Sequence, residues 1–189
     1  MSLREANYPV DARGRPDVRY YTDSLEYYVQ MYEQYLGTLQ GKKGAGYEIE
    51  LAFGRRVHAT WGLIAKGAAA APYALSLLGR SVHEAREDGA AILAELGRDE
   101  AVVDKLIESL NLETDTSARD SIILALGRLK NKKAVPSLAA IIRDAAADGD
   151  TQWTAVESLG LIVRKRFLKQ ENPVDAAKAW LDSHPELVG

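Results

Sequence analysis

The chain of 189 residues contains no cysteine, which excludes disulfides and thiolate metal sites and leaves the redox compartment open. Histidine is scarce: His58, His83 and His184 are the only three, too few to supply the ligands of a di-iron centre. No apolar run approaches the roughly 20 residues that cross a bilayer. Met1-Ser2-Leu3-Arg4-Glu5 lacks the apolar core of a secretory signal, so a cytoplasmic location with no membrane contact is the expectation. Excess basic charge is missing as well. A formal net charge of −3 argues against a general polyanion binder, which would be strongly basic. Hydrophobic residues make up 47%, a globular proportion on a chain long enough to bury a real core.

What is present is a recurring helical pattern. Ile122, Ile123 and Leu126 fall on one side of a 3.6-residue period, with Arg119 and Asp120 expected to face water. Asn131 and the lysines around it interrupt the pattern. Pro136 suits the first turn of a new helix, where its missing N–H costs nothing, and Val135, Leu138, Ile141 and Ile142 resume helical spacing. Two helices joined by so short a turn pack antiparallel.

The same frame occurs again thirty-three residues to either side of Gly127. Ala85-Arg86 through Ile92-Leu93-Ala94, then Ala101-Val102, precede it, and Ala155-Val156-Glu157-Ser158-Leu159-Gly160 follow. A looser copy comes first, with Val57, Trp61, Gly62 and then Pro72 to Leu78. Such hairpins cannot hide their apolar faces singly, so neighbours must stack. The Ala134-Val135-Pro136-Ser137-Leu138 step after Ala125-Leu126-Gly127-Arg128-Leu129 resembles the short HEAT-type repeat, including the version found in bilin-lyase-like HEAT proteins. The resemblance implies an all-α fold: a right-handed α-solenoid of about four HEAT-like hairpins preceded by an N-terminal capping helix.

This divides the chain into a flexible arm over residues 1–16, a tyrosine-rich capping helix and Gly-rich loop over 17–46, and the repeat array over 47–189. The capping helix is predicted from Asp17 to about Leu39, with Tyr21, Leu25, Tyr28, Tyr32, Tyr35 and Leu39 forming a seam. That seam covers the open end of the first repeat or joins two copies, which leaves a monomer and a homodimer as the two states. Tyr20 and Tyr27 lie off it. The stretch Gly37 to Gly46 is not a phosphate loop. Its spacing is short by one, Lys43 stands where Ser or Thr would meet magnesium, and no strand precedes it.

No nucleophile–base set, metal constellation or nucleotide loop emerges, so no catalytic residue, metal or cofactor is expected. HEAT-type hydroxylases of the deoxyhypusine class use several His-Glu pairs; here His83-Glu84 is the single pair, which argues against that reading. Two surface features remain. The turns of the third and fourth hairpins are basic through Arg128, Lys130, Lys132 and Lys133, then Arg164, Lys165 and Arg166, with Lys105 and Arg143 projecting from second helices. The links between hairpins are acidic. Helix dipoles favour that placement on their own; a functional basic rim would suit an acidic protein face or, as runner-up, a nucleic-acid backbone. Trp153 stands where the other hairpins carry Arg55, Glu87 and Asp120. It either anchors a partner or is covered by the tail around His184-Pro185.

These features favour a non-catalytic interaction module that binds a protein partner through its concave second helices or its basic rim. Enzymes on HEAT scaffolds, such as alkylpurine DNA glycosylases and bilin lyases, are the alternative, and a subunit self-associating through the tyrosine helix is a third.

Overall fold

The computed structural model describes residue 14 and residues 16–41, 46–97 and 99–188, with residues 40, 41 and 46–51 described by backbone alone. Regular structure among them is entirely helical. The helices are α1 (Leu25–Gly41), α2 (Gly46–Ala65), α3 (Ala71–Leu77), α4 (His83–Leu96), α5 (Glu100–Leu112), α6 (Thr116–Leu129), α7 (Val135–Arg143), α8 (Gly149–Val163) and α9 (Pro173–Asp182). The chain divides after Ala74 into two compact units. The proposed arm over residues 1–16 lies almost wholly outside the described residues.

In the first unit α1 packs along α2. Tyr28, Tyr32 and Tyr35 of the predicted seam are buried, while Tyr20 and Tyr27 are exposed. The Tyr28 ring lies flat against Gly62, where any Cβ would overlap it. The predicted start of this helix is wrong. Asp17 instead accepts from the Arg19 backbone N–H and pairs with its guanidinium, closing a 3-10 turn over Val18–Tyr20. Ser24 then accepts from the Tyr27 N–H, and α1 begins at Leu25. Tyr21 still reaches the core from outside the helix, with Lys66 donating to its carbonyl oxygen at 3.0 Å. The helix also runs on to Gly41, two residues past its predicted end near Leu39. His58 is half-buried, its ring beside those of Tyr21 and Tyr28 at 5.4 and 5.8 Å.

In the second unit the sequential neighbours in close contact are α5 with α6, α7 with α8 and α8 with α9, rather than the α6–α7 pair expected from the short turn between them. Helix α6 packs against both α4 and α8, and α7 packs against both α8 and α9. The core residues predicted from the frame are buried, among them Leu93, Leu106, Ile122, Ile123, Leu126, Leu138, Ile142 and Leu159. Side-chain caps start α5, α6 and α8. The Asp99, Asp115 and Asp148 carboxylates accept from backbone N–H groups in the first turns of α5, α6 and α8, each cap contributing about 1 kcal/mol. Glycine sets the spacing between α6 and α8, because a Cβ on Gly127 would sit 2.7 Å from the Ser158 Cα.

Two contacts fasten neighbouring elements. Arg86 of α4 forms a two-pronged pair with Glu113, Nε and one terminal nitrogen donating at 2.6 and 2.8 Å, and also donates to the carbonyl oxygens of Arg80 and Ser81. The Glu113 side chain is only 4% exposed. The Arg86 hydrogen bond holds the Glu113 carboxyl below its usual range, against the opposing pull of burial and with help from the Asp115 and Thr114 N–H groups. The second contact joins α6 to α8: the buried Thr151 hydroxyl donates to Asp120 at 2.9 Å. Asp120 is therefore half-buried rather than water-facing as predicted, and so is Arg119. Burial, reinforced by Asp148 and Asp150, pushes the Asp120 carboxyl up despite the Thr151 hydrogen bond.

Candidate interaction surface

The cations predicted to form a rim separate into two sets. Arg128 reaches back to Glu95 at 3.2 Å, and Lys133 pairs with Glu100 and Asp104 at 3.3 and 3.2 Å. Arg143 pairs with Asp182 at 2.6 Å, and Lys105 with Glu108 at 2.8 Å. These exposed pairs are worth about 0–1 kcal/mol each, but they neutralise that part of the rim. Lys130, Lys132, Arg164, Lys165 and Arg166 are exposed and make no ion pair among the described residues. The uncompensated charge therefore gathers at the C-terminal ends of α6 and α8 and in the turns that follow them.

Backbone geometry singles out the same places. Lys130 and Arg164, the residues closing α6 and α8, adopt left-handed conformations with φ of 55° and 58°. That region costs a non-glycine residue about 1–2 kcal/mol, and glycine is its usual occupant. A cation at a helix C-terminus regains about 0.3–1 kcal/mol from the dipole, so the dipole offsets part of the cost and not all of it.

Beyond Arg164 the long turn folds back on α8. The Lys165 N–H donates to the Gly160 carbonyl oxygen at 2.9 Å, and the Lys165 carbonyl lies so close that a Cβ on Gly160 would be 2.6 Å from it. Phe167 packs inward against Trp180, 6.0 Å between ring centroids, and Trp180 stacks on His184 at 4.1 Å. The tail is thus spent on Trp180. Trp153 is 46% exposed, which overturns the reading that the tail covers it. Leu161, two turns further along α8, is also exposed. Between α8 and the turn lies an open apolar groove of about 210 Å3, a feature that residue spacing does not reveal.

The described residues also include one group with metal-ligand chemistry. Single ligand atoms of His83, Glu87 and Asp115 lie within 4.8 Å of one another, a spacing at which a divalent cation can be held. The i,i+4 spacing of His83 and Glu87 was readable in sequence; Asp115 joins them only through packing of α6 on α4. Asp115 already serves as the cap of α6, and the His83 ring lies within 3.9 Å of Glu87 and 3.3 Å of Glu84. A larger, polar depression of about 460 Å3 surrounds Arg86 and Glu113, whose charged groups already satisfy each other.

Compared with known proteins, the chain matches no family model, no curated protein and no solved structure.

Proposed function

We propose that this protein is a non-catalytic interaction module, a short right-handed HEAT-like solenoid over Leu75–Gly189 that binds a partner protein. Support for the solenoid comes from the serial packing of α4 on α6 and α6 on α8, with a second helix following each. The observation that carries the binding role is Trp153. A tryptophan left 46% exposed, on the helix whose C-terminal end carries exposed Leu161 and the uncompensated Arg164, has the composition of an interface anchor.

The surface favoured here differs from the concave second helices anticipated from sequence, because Lys105 and Arg143 on those helices are already paired. A partner protein suits it better than nucleic acid. The net charge of −3 opposes the approach of a polyanion, and an exposed indole with leucine adds nothing to phosphate binding.

Affinity capture from the native host tests this reading. The unaltered chain is expected to retain a partner that a Trp153→Ala, Leu161→Asp variant loses at unchanged thermal stability, since both side chains are exposed. Equal recovery by the two would contradict it.

A further inference from the structure

The groove beside α8 allows the partner's chemistry to be named, on the basis of the interaction reading above. Its floor is apolar, lined by Val156, Gly160 and Leu161 of α8 and by Phe167 and Leu168 of the returning turn. The floor is preformed, because Phe167 is buried against Trp180 and the turn is tied to Gly160 by the Lys165 N–H. The rim is strongly one-signed. Lys165, Arg166 and Lys169 stand around the opening against a single acid, Glu157, and the three cations form no ion pair among the described residues.

An apolar slot ringed by cations selects on two counts. It rewards one large apolar side chain, at about 1.5–3 kcal/mol for full burial, and it rewards carboxylates flanking that side chain. We propose that the groove receives a single aromatic or aliphatic side chain from an acidic segment of a partner protein, whose carboxylates pair with Lys165, Arg166 and Lys169. A nucleic-acid strand would satisfy the cations and leave the slot unfilled.

The experiment is selection of short random peptides displayed against the full chain, followed by fluorescence anisotropy on the peptides selected. Enrichment in Asp and Glu around one Phe, Leu or Ile is expected. Binding should weaken at least about tenfold when that side chain is replaced by alanine. It should also weaken on raising the salt and in Lys165→Glu, Arg166→Glu, Lys169→Glu and Leu161→Asp variants, whose exposed positions leave the fold intact by circular dichroism.

Selected peptides without acidic enrichment, peptides indifferent to these variants, or no selected peptide at all would overturn the proposal. So would a dimer in analytical ultracentrifugation that Leu161→Asp dissolves, or duplex DNA binding that the charge reversals abolish. The two readings separate cleanly: host partners lost with Trp153→Ala but unaffected by the charge reversals sink the groove proposal and keep the interaction module.

Discussion

An Arg86→Ala variant is expected to lose about 3 kcal/mol of stability, a melting point lower by roughly 10 °C. The side chains of Arg86 and Glu113 are 16% and 4% exposed, so removing the guanidinium leaves a carboxylate in a largely dry setting. It also frees the Arg80 and Ser81 carbonyl oxygens that Arg86 serves. Replacing both partners by apolar residues of similar size, Arg86→Met with Glu113→Leu, should cost far less, because no unpaired charge remains. The pH dependence follows from the same contact. The folded Glu113 carboxyl is held below its usual value of 4.5, so its contribution is complete above that pH and fades as pH falls through the lower folded value. Asp120 acts in the opposite direction: its carboxyl is raised by burial, and its contribution grows as the group protonates. A Glu113→Gln variant should therefore be less stable than the parent at neutral pH and lose less on acidification, measured by urea titration at several pH values.

Gly127→Ala supplies the second large effect, and its sign is the informative part. On helix propensity alone, alanine in place of a mid-helix glycine gains about 1 kcal/mol. Here the new methyl would approach the Ser158 Cα at 2.7 Å, and backbone cannot step aside as a flexible side chain would. Overpacking of this kind costs about 1–3 kcal/mol, so the contact outweighs the propensity and the variant should be less stable. Gly37→Ala is the control: it lies within α1 with nothing within 4 Å of the added Cβ, and should stabilise by about 0.5–1 kcal/mol. Opposite shifts in the two denaturation midpoints check the close approach of α6 and α8.

Much of the second unit was legible because its helices are locally self-consistent. Apolar spacing named the buried residues of α6 and α7, and Pro136 and Pro173 fell in first turns, as expected. The failures came where a side chain outcompeted the pattern. Asp17 and Ser24 redirect the backbone ahead of α1, although the tyrosine spacing reads through both. Gly41 read as part of a loop because glycine disfavours helix, yet α1 extends to it.

The candidate surface was legible only in composition. That Lys133 is neutralised by acids of α5 while Lys165 and Arg166 are not depends on which hairpin lies beside which, information absent from spacing. The groove likewise exists only because the turn after Arg164 folds back onto Gly160. The direction of that turn is not written in residue spacing.

Hydrogen–deuterium exchange on the full chain, with and without the partner it captures, measures the central claim most directly. The account predicts protection concentrated in residues 153–169, spanning the outer face of α8 and the turn that follows. Protection confined to α5 and α7, or to the tyrosine-bearing α1, with residues 153–169 unchanged, would contradict it.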